Sequence, residues 1–144
     1  EGWGLYSERI AAEDMGMYKD DPLGDLGRLQ AEMFRAVRLV VDTGMHAKRW
    51  SRERAIEYML SKTGMTEAEV TREIERYVVW PGQATAYKVG QLYMLRLRAM
   101  AENQLSDAFD IREFHEMILM NGAMPLEILE ESVESWVETQ KALI

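Results

Sequence analysis

The sequence predicts an all-α protein, a bundle of about seven mostly antiparallel helices. Apolar residues recur with a helical period along the chain, and no segment shows the sustained alternation of a half-buried strand. Proline, glycine and capping residues divide the chain into segments of helical length, with loops of only a few residues between them. Short loops favour antiparallel packing of neighbouring helices, so a helical bundle is expected.

Capping residues and helix breakers set the boundaries of each helix in turn. Ser51 is placed to cap the third helix, and Thr66 with Glu69 forms a capping box for the fourth. Pro81 is placed as the first residue of the fifth helix, and Pro125 opens the seventh. The predicted helices cover residues 2–19 (ended by the motif DDPLG), 23–45, 52–64, 67–79, 81–105, 111–120 (capped by Asp110) and 125 onwards.

Composition narrows the class of protein. The 144 residues suffice for one domain with a buried core, and a content of 47% apolar residues excludes wholesale disorder. The net charge of -8 argues against a nucleic-acid partner, because binding to phosphates needs a basic surface. No apolar run approaches the length of about 20 residues that a transmembrane helix needs. The absence of cysteine excludes disulfides and Cys-based zinc sites, and the two histidines limit any His-rich metal site.

The second helix carries a polar stripe. Arg35, Arg38, Asp42 and His46 follow one another at spacings of three or four residues, which places them on one helical face. Arginine suits carboxylate binding and aspartate suits orienting an arginine or a histidine, so the stripe is a candidate cleft wall. The alternative is an ordinary solvated face opposite the core. The core face expected from the same pattern consists of Met33, Val37, Val40 and Val41.

Glu1 heads the first helix on nearly the same face as Glu8, with apolar residues around both. Carboxylates in such surroundings are candidate metal ligands or buried acids. The alternative is a pair of solvated acids near a helix terminus, where the helix dipole favours negative charge.

The fifth helix presents Gln83, Tyr87, Gly90 and Gln91 on one face. The Tyr87 hydroxyl is a candidate donor to an oxyanion, and Gly90 would allow another backbone or a ligand to approach closely. The alternative is a half-buried tyrosine at a helix crossing.

The sixth helix contains FHEMIL, which begins like the zinc-protease pattern HExxH. His115 and Glu116 match its first two positions, but Leu119 stands where the second histidine is required. A complete zinc site within this chain is therefore not expected, and a structural role for His115 remains the alternative.

Four longer motifs follow one another along the chain. They are EGWGLYSE, RAVRLVVDTGMHAKRWSRERAIEYM, ERYVVWPGQATAYKVGQ and FHEMILMNGAMPLEILEESV. In this order they resemble the C-terminal part of the bacterial domain-of-unknown-function 885 (DUF885) family, whose members resemble zinc metallopeptidases. The resemblance runs from Glu1 to about Val133 and implies that the chain is part of a larger helical metallopeptidase-like fold.

The resemblance implies a zinc site whose other ligands lie upstream of this sequence. Family members carry an HExxPGH-type motif there, which implies two histidine ligands and a general-base glutamate. Glu1, in the motif EGW, resembles the third ligand. Such a site leaves a fourth position for the water molecule that attacks the substrate.

The resemblance also suggests roles for other residues. Tyr87 and His115 are the candidates for stabilising the oxyanion that forms on the attacked carbonyl, and Arg38 or Lys88 is the candidate for holding a peptide carboxylate. The full candidate set for substrate binding is Arg38, His46, Gln83 and Lys88.

Together these observations predict the C-terminal part of a zinc-dependent peptidase that acts on short peptides. Residues 1–144 are expected to form a single helical domain of a longer chain, inactive alone and weak in zinc binding without its upstream partner. The alternative function is a non-catalytic helical interaction module. The expected partners are a peptide substrate, the missing N-terminal portion and a second copy of the chain. A bacterial protein is expected, and the sequence does not decide between the cytoplasm and the periplasm or envelope.

Overall fold

The helices confirm the all-α fold class. The computed structural model describes residues 1–143, which contain seven α-helices and no β-strand. The helices are α1 (Gly2–Glu13), α2 (Pro22–Lys48), α3 (Arg52–Lys62), α4 (Glu67–Val79), α5 (Ala86–Leu105), α6 (Ile111–Met120) and α7 (Leu126–Lys141). Single-turn 3₁₀ helices at Gln83–Thr85 and Ser106–Ala108 flank α5. None of the helices in the described part of the chain is both long and apolar enough to cross a membrane.

The predicted N-terminal caps of α3, α4 and α6 are confirmed. The side chains of Ser51 and Asp110 each accept a hydrogen bond from a backbone N–H in the first turn of their helix. Thr66 and Glu69 form the reciprocal capping box at the start of α4. These helices therefore begin where local side-chain chemistry satisfies their free N–H groups.

Two helices differ from the predicted boundaries. α1 ends at Glu13, before the DDPLG motif, and Gly16 follows it with a φ of +66°, a left-handed conformation that favours glycine. α5 begins at Ala86 and not at Pro81, because the WPGQ segment forms a turn in which Gly82 has a φ of 83°. The WPGQ turn, residues 80–83, therefore lies between α4 and α5 as a separate element.

Internal contacts divide the chain into two compact units, Glu1–Gln91 and Leu92–Ile144. In the first unit, α2, α3 and α4 pack around the apolar residues Val37, Val41, Ala55, Met59, Val70, Ile74, Tyr77 and Ala84. In the second unit, α6 and α7 contribute the buried residues Phe114, Ile118, Leu129, Val133 and Val137. That the two units act as a single domain stays a prediction.

The inner face of α2 agrees only in part with the hydrophobic pattern, since the predicted core residues Val37 and Val41 are buried at 4% and 0% exposure. Met33 and Val40, two of the expected core residues, are 52% and 37% exposed. Arg38 and Asp42 are instead buried, at 5% and 3% exposure. The polar stripe is therefore not a solvated face at these two positions, because α2 turns them towards the interior of the first unit.

The helices α1 and α5 cross at two glycines within the first unit. A Cβ atom on Gly90 would lie 2.6 Å from the Cα of Gly2, and one on Gly2 would lie 2.5 Å from the Cα of Gly90. The two backbones are therefore in direct contact, which confirms the close approach expected at Gly90. The crossing places Glu1, the neighbour of Gly2, on the same side of the first unit as the WPGQ turn.

Candidate functional site

The side chain of Glu1 is held by the WPGQ turn. Glu1 is the exposed N-cap residue of α1. Nε2 of Gln83 donates a hydrogen bond to Oε1 of Glu1 at 2.9 Å, across 82 positions of sequence. The fold thus joins two of the predicted site residues, a candidate metal ligand and a candidate substrate-binding residue.

Two arginines determine which way the Gln83 amide faces. Arg76 donates from Nη1 to Oε1 of Gln83 at 2.9 Å, and Arg38 donates from Nη2 to the same oxygen at 3.4 Å. An arginine side chain has donors only, so the amide oxygen faces the arginines and the amide NH₂ faces Glu1. Outer hydrogen bonds of this kind orient the carboxylates that bind metal ions.

Asp42 fixes the turn that carries Gln83. The backbone N–H of Gly82 donates to both carboxylate oxygens of Asp42, at 3.1 Å each. A hydrogen bond to a buried carboxylate is stronger than a neutral one, so this contact anchors the WPGQ turn to α2. The sequence suggested that Asp42 orients an arginine or a histidine, whereas it caps a backbone amide.

Sequence reasoning missed the contribution of α4. Nη2 of Arg76 donates to Oε2 of Glu73 at 2.8 Å, and the Tyr77 hydroxyl donates to the same oxygen at 2.6 Å. Burial favours a higher pKa for Glu73, but the hydrogen bonds from Arg76 and Tyr77 outweigh it and hold that pKa below its ordinary value. Burial, with the bond to Glu73, raises the pKa of Tyr77. The only sequence signal was the three- and four-residue spacing of these groups.

The guanidinium groups of Arg35 and Arg38 lie among aromatic rings. Both are within 5.5–5.6 Å of the ring centres of Phe34 and Tyr87, and Arg38 is 5.5 Å from that of Tyr77. These distances fit cation–π contacts. The Nε atoms of both arginines are buried and make no hydrogen bond within the described residues.

Tyr87 stands beside the start of α1. A Cβ atom on Gly4 would lie 3.8 Å from Cε1 of the half-buried Tyr87 ring. Among residues 1–143, the Tyr87 hydroxyl forms no hydrogen bond. The ring therefore packs at a helix crossing, as the alternative interpretation expected, while the hydroxyl is not engaged by this part of the chain.

Lys88 is engaged by partners within the first unit. Its Nζ atom donates to Oε1 of Glu32 at 2.6 Å and to Oε1 of Gln91 at 2.7 Å. Gln91 is fully buried and donates to the Leu5 carbonyl oxygen at 3.2 Å, which links α5 to α1. Burial favours a higher pKa for Glu32, but the Lys88 hydrogen bond leads the contacts that lower it below its ordinary value. The charge of Lys88 is thus matched locally.

The two histidines, His46 and His115, belong to different units of the chain. Nε2 of His46 is 3.0 Å from the carbonyl oxygen of Tyr77, a contact that joins the end of α2 to α4 when Nε2 carries the proton. His115 lies on α6 in the second unit, with its ring centre 5.9 Å from that of Phe114. The first unit therefore brings Glu1, Gln83 and Arg38 into one network, with Tyr87 beside Arg38.

The described residues do not form a complete metal site. Within residues 1–143, no group of three histidine, aspartate or glutamate side chains is arranged to hold a metal ion. Glu1 suits one position of a shared site, because its carboxylate is exposed and oriented by Gln83.

Comparison with known proteins places these residues in a family. Residues 1–133 match the family model described as "Bacterial protein of unknown function (DUF885)". The fold is similar to the crystal structure of the putative lipoprotein from Colwellia psychrerythraea, with a TM-score of 0.93 and 57% sequence identity. This similarity covers 96% of the present chain and 24% of the Colwellia chain, so the chain spans about a quarter of that protein. No curated protein matches the sequence.

Proposed function

Because the chain belongs to the DUF885 family, we propose that the full-length protein is a zinc-dependent peptidase and that this chain supplies one metal ligand and part of the substrate cleft. The observation that carries the proposal is the carboxylate of Glu1, which Gln83 orients while Arg76 and Arg38 fix Gln83. The resemblance of the family to zinc metallopeptidases supports the same assignment, since an upstream HExxPGH-type motif would add two histidine ligands and a base.

The residues of this chain are suited to form one part of a zinc site. Glu1 would hold zinc together with the two upstream histidines, and zinc bound there would supply Lewis acidity that activates water. Gln83 keeps the Glu1 carboxylate in one orientation, and Asp42 keeps Gln83 in place through the N–H of Gly82. The first unit thus contributes a preorganised carboxylate.

Tyr87 is the proposed oxyanion donor of the first unit. A hydroxyl without a hydrogen bond in the described chain is able to donate to the negative charge that develops on the attacked carbonyl oxygen. His115 remains the candidate from the second unit. His46 is better suited to support, since its ring nitrogen already contacts a backbone carbonyl.

The rest of the protein is the proposed partner of the outer face of α2. Leu23, Leu26, Leu29 and Met33 leave apolar surface exposed on this helix, at 78%, 52%, 47% and 52%. Adjoining exposed apolar residues mark an interaction surface, and about three quarters of the Colwellia chain lies outside the match. Sedimentation should find the full-length protein monomeric; a dimer broken by Leu26→Glu would assign this face to a second copy.

The description of the Colwellia protein as a lipoprotein favours an envelope location for the full-length protein. A lipid chain anchors a protein to a membrane surface without a transmembrane helix. Cell fractionation should therefore recover the full-length protein with the membrane fraction, and release by alkali or high salt alone would contradict a lipid anchor.

The test of the proposed function uses the full-length protein and two variants of α1. The wild type should contain about one zinc ion per chain and hydrolyse short peptides. Glu1→Ala should lose both properties because a metal ligand is removed. Glu13→Ala, which alters an exposed glutamate at the far end of the same helix, should keep both.

Two results would contradict the proposal. Zinc and hydrolysis that survive in Glu1→Ala would show that Glu1 is not a ligand. A full-length wild type that neither binds zinc nor hydrolyses peptides would instead favour the interaction module.

A further inference from the structure

Arg38 carries a buried charge that forms no direct ion pair within residues 1–143, although the charge of Glu73 acts on it from a greater distance. Its side chain is 5% exposed, and a guanidinium group stays protonated in proteins. Its contacts are the neutral Gln83 amide oxygen at 3.4 Å and aromatic rings. Within residues 1–143, neither Arg38 nor Arg35 forms an ion pair with a carboxylate. A buried charge without a direct ion pair is costly, so a carboxylate that contacts Arg38 directly would stabilise it further.

The other half of α2 shows that this arrangement is specific to Arg35 and Arg38. Arg28 donates to Asp25 at 2.7 Å and to Glu32 at 3.2 Å, and Glu32 also accepts from Lys88. The positive charges of Arg28 and Lys88, near the N-terminal half of α2, are therefore paired with carboxylates. Arg35 and Arg38, next to Glu1 and Gln83, form no such direct ion pair within residues 1–143.

The geometry suits a carboxylate ligand. The planar guanidinium group of arginine offers paired donors that match the two oxygens of a carboxylate. The surrounding rings of Phe34, Tyr77 and Tyr87 hold the Arg38 guanidinium in place. The buried Nε atoms of both arginines are donors that no described residue uses.

We propose that Arg35 and Arg38 bind a carboxylate of the peptide substrate, so that the enzyme selects peptides with a free carboxylate near the scissile bond. This inference rests on the proposed peptidase function. Only the Gln83 amide separates Arg38 from Glu1, which puts the carboxylate site next to the proposed metal ligand. Lys88 is the poorer candidate, because Glu32 already matches its charge.

The experiment compares one peptide in two forms, with a free C-terminal carboxylate and with a C-terminal amide. In the full-length wild type, kcat/KM for the free acid should exceed that for the amide by about a hundredfold. Arg38→Gln should reduce this ratio towards one, whatever it does to the absolute rates. Arg28→Gln, a matched change on the same helix at an arginine that is already paired, should leave the ratio unchanged.

A third substrate identifies the source of the carboxylate. An amidated peptide with an aspartate at its last position would recover the wild-type preference if the site accepts an acidic side chain. A wild type that does not distinguish acid from amide, or an Arg38→Gln variant that keeps the full ratio, would overturn the proposal and assign the counter-ion to the rest of the protein.

Calorimetry separates this inference from the peptidase function. If the full-length protein hydrolyses nothing, binding of the acid and amide peptides is still measurable. Tighter binding of the acid that disappears in Arg38→Gln would support the carboxylate site, and equal binding of both forms would refute it.

Discussion

The two units of the chain use charged side chains in opposite ways. In the first unit, buried Asp42 and Arg38 make contacts that join segments far apart in the sequence. In the second unit, the ion pair between Arg96 and Glu130 has two contacts of 2.7 Å and lies at the surface, and the core beneath α6 and α7 is apolar. The first unit therefore accepts the cost of buried polar groups that the second avoids.

This difference supports the proposed placement of the functional site in the first unit. Apolar packing stabilises a fold without specifying the direction of any polar group, whereas a buried hydrogen-bond network fixes side chains at the expense of stability. The residues that hold Glu1, namely Gln83, Arg38, Arg76 and Asp42, form such a hydrogen-bond network. The helices α6 and α7 instead pack through apolar side chains. The difference predicts that variants of the apolar core under α6 and α7 change stability and that variants around Glu1 and Gln83 change chemistry.

The largest effect is expected from the core of the second unit. Leu129→Ala removes a buried side chain from α7 and should lower the free energy of unfolding by about 2–5 kcal/mol. Chemical denaturation of the full-length protein measures this, with Ile128→Ala, an exposed neighbour, as the control. Turnover per folded molecule should not change. A loss of zinc or of turnover in the folded fraction would contradict the view that the core of the second unit contributes only to stability.

Tyr87→Phe should have the next largest effect, on chemistry only. Loss of one oxyanion donor lowers turnover by about a hundredfold to a thousandfold. The substrate affinity and the melting temperature should change little, because the hydroxyl makes no hydrogen bond in the described chain. Tyr93→Phe, at a half-buried tyrosine of the second unit, is the control and should leave turnover unchanged. An equal loss of turnover in His115→Gln would show that the second unit also contributes to catalysis.

Gln83→Leu tests the orientation of Glu1. Loss of an outer-shell partner should weaken zinc binding by the full-length protein by about tenfold to a hundredfold. Gln104→Leu removes an exposed glutamine that accepts from Lys141 in the second unit, and should leave zinc binding unaltered. Competition with a metal chelator measures both. Equal zinc affinity in the two variants would show that the hydrogen bond between Gln83 and Glu1 does not contribute to zinc binding.

The smallest effect concerns pH. The lowered pKa of Glu73 stabilises the folded state above the unfolded value of about 4.3, and this contribution is lost as pH falls through the folded value. The hydrogen bond from Arg96 lowers the pKa of the half-buried Glu130 in the same direction. The pH dependence of unfolding should therefore become weaker in both Glu73→Gln and Glu130→Gln. High salt should reduce the effect more for Glu130, because its partner Arg96 is 52% exposed whereas Arg76, the partner of Glu73, is 32% exposed. Equal salt sensitivity would contradict the comparison.

Local signals in the sequence were sufficient to predict where most of the helices begin and end. The caps at Ser51, Thr66 and Asp110 act within one turn, so they can be read from neighbouring residues. The close approach at Gly90 was also predictable, because a missing side chain is itself a local signal. The failure at Pro81 shows the limit, since proline suits a turn as well as a first helical position.

The candidate site depends on contacts that no local pattern encodes. Glu1 and Gln83 are 82 positions apart, and nothing in either segment specifies their hydrogen bond. The spacing of Arg38 and Asp42 correctly placed them on one face of α2, but whether other helices cover that face depends on tertiary packing. Arg76 was missed because an arginine three residues after Glu73 is typical of a solvated helix.

The crossing of Gly2 and Gly90 limits how far the proposed metal ligand, Glu1, can move relative to α5. A methyl group on either glycine would meet the opposite backbone at 2.5–2.6 Å, where an ordinary contact needs at least 3.4 Å. Relief of that overlap would displace α1 by nearly 1 Å, enough to stretch the 2.9 Å bond between Gln83 and Glu1 beyond hydrogen-bonding distance. The absence of side chains at Gly2 and Gly90 therefore sets the spacing of the two backbones at the crossing, and with it the distance from the Glu1 carboxylate to Gln83.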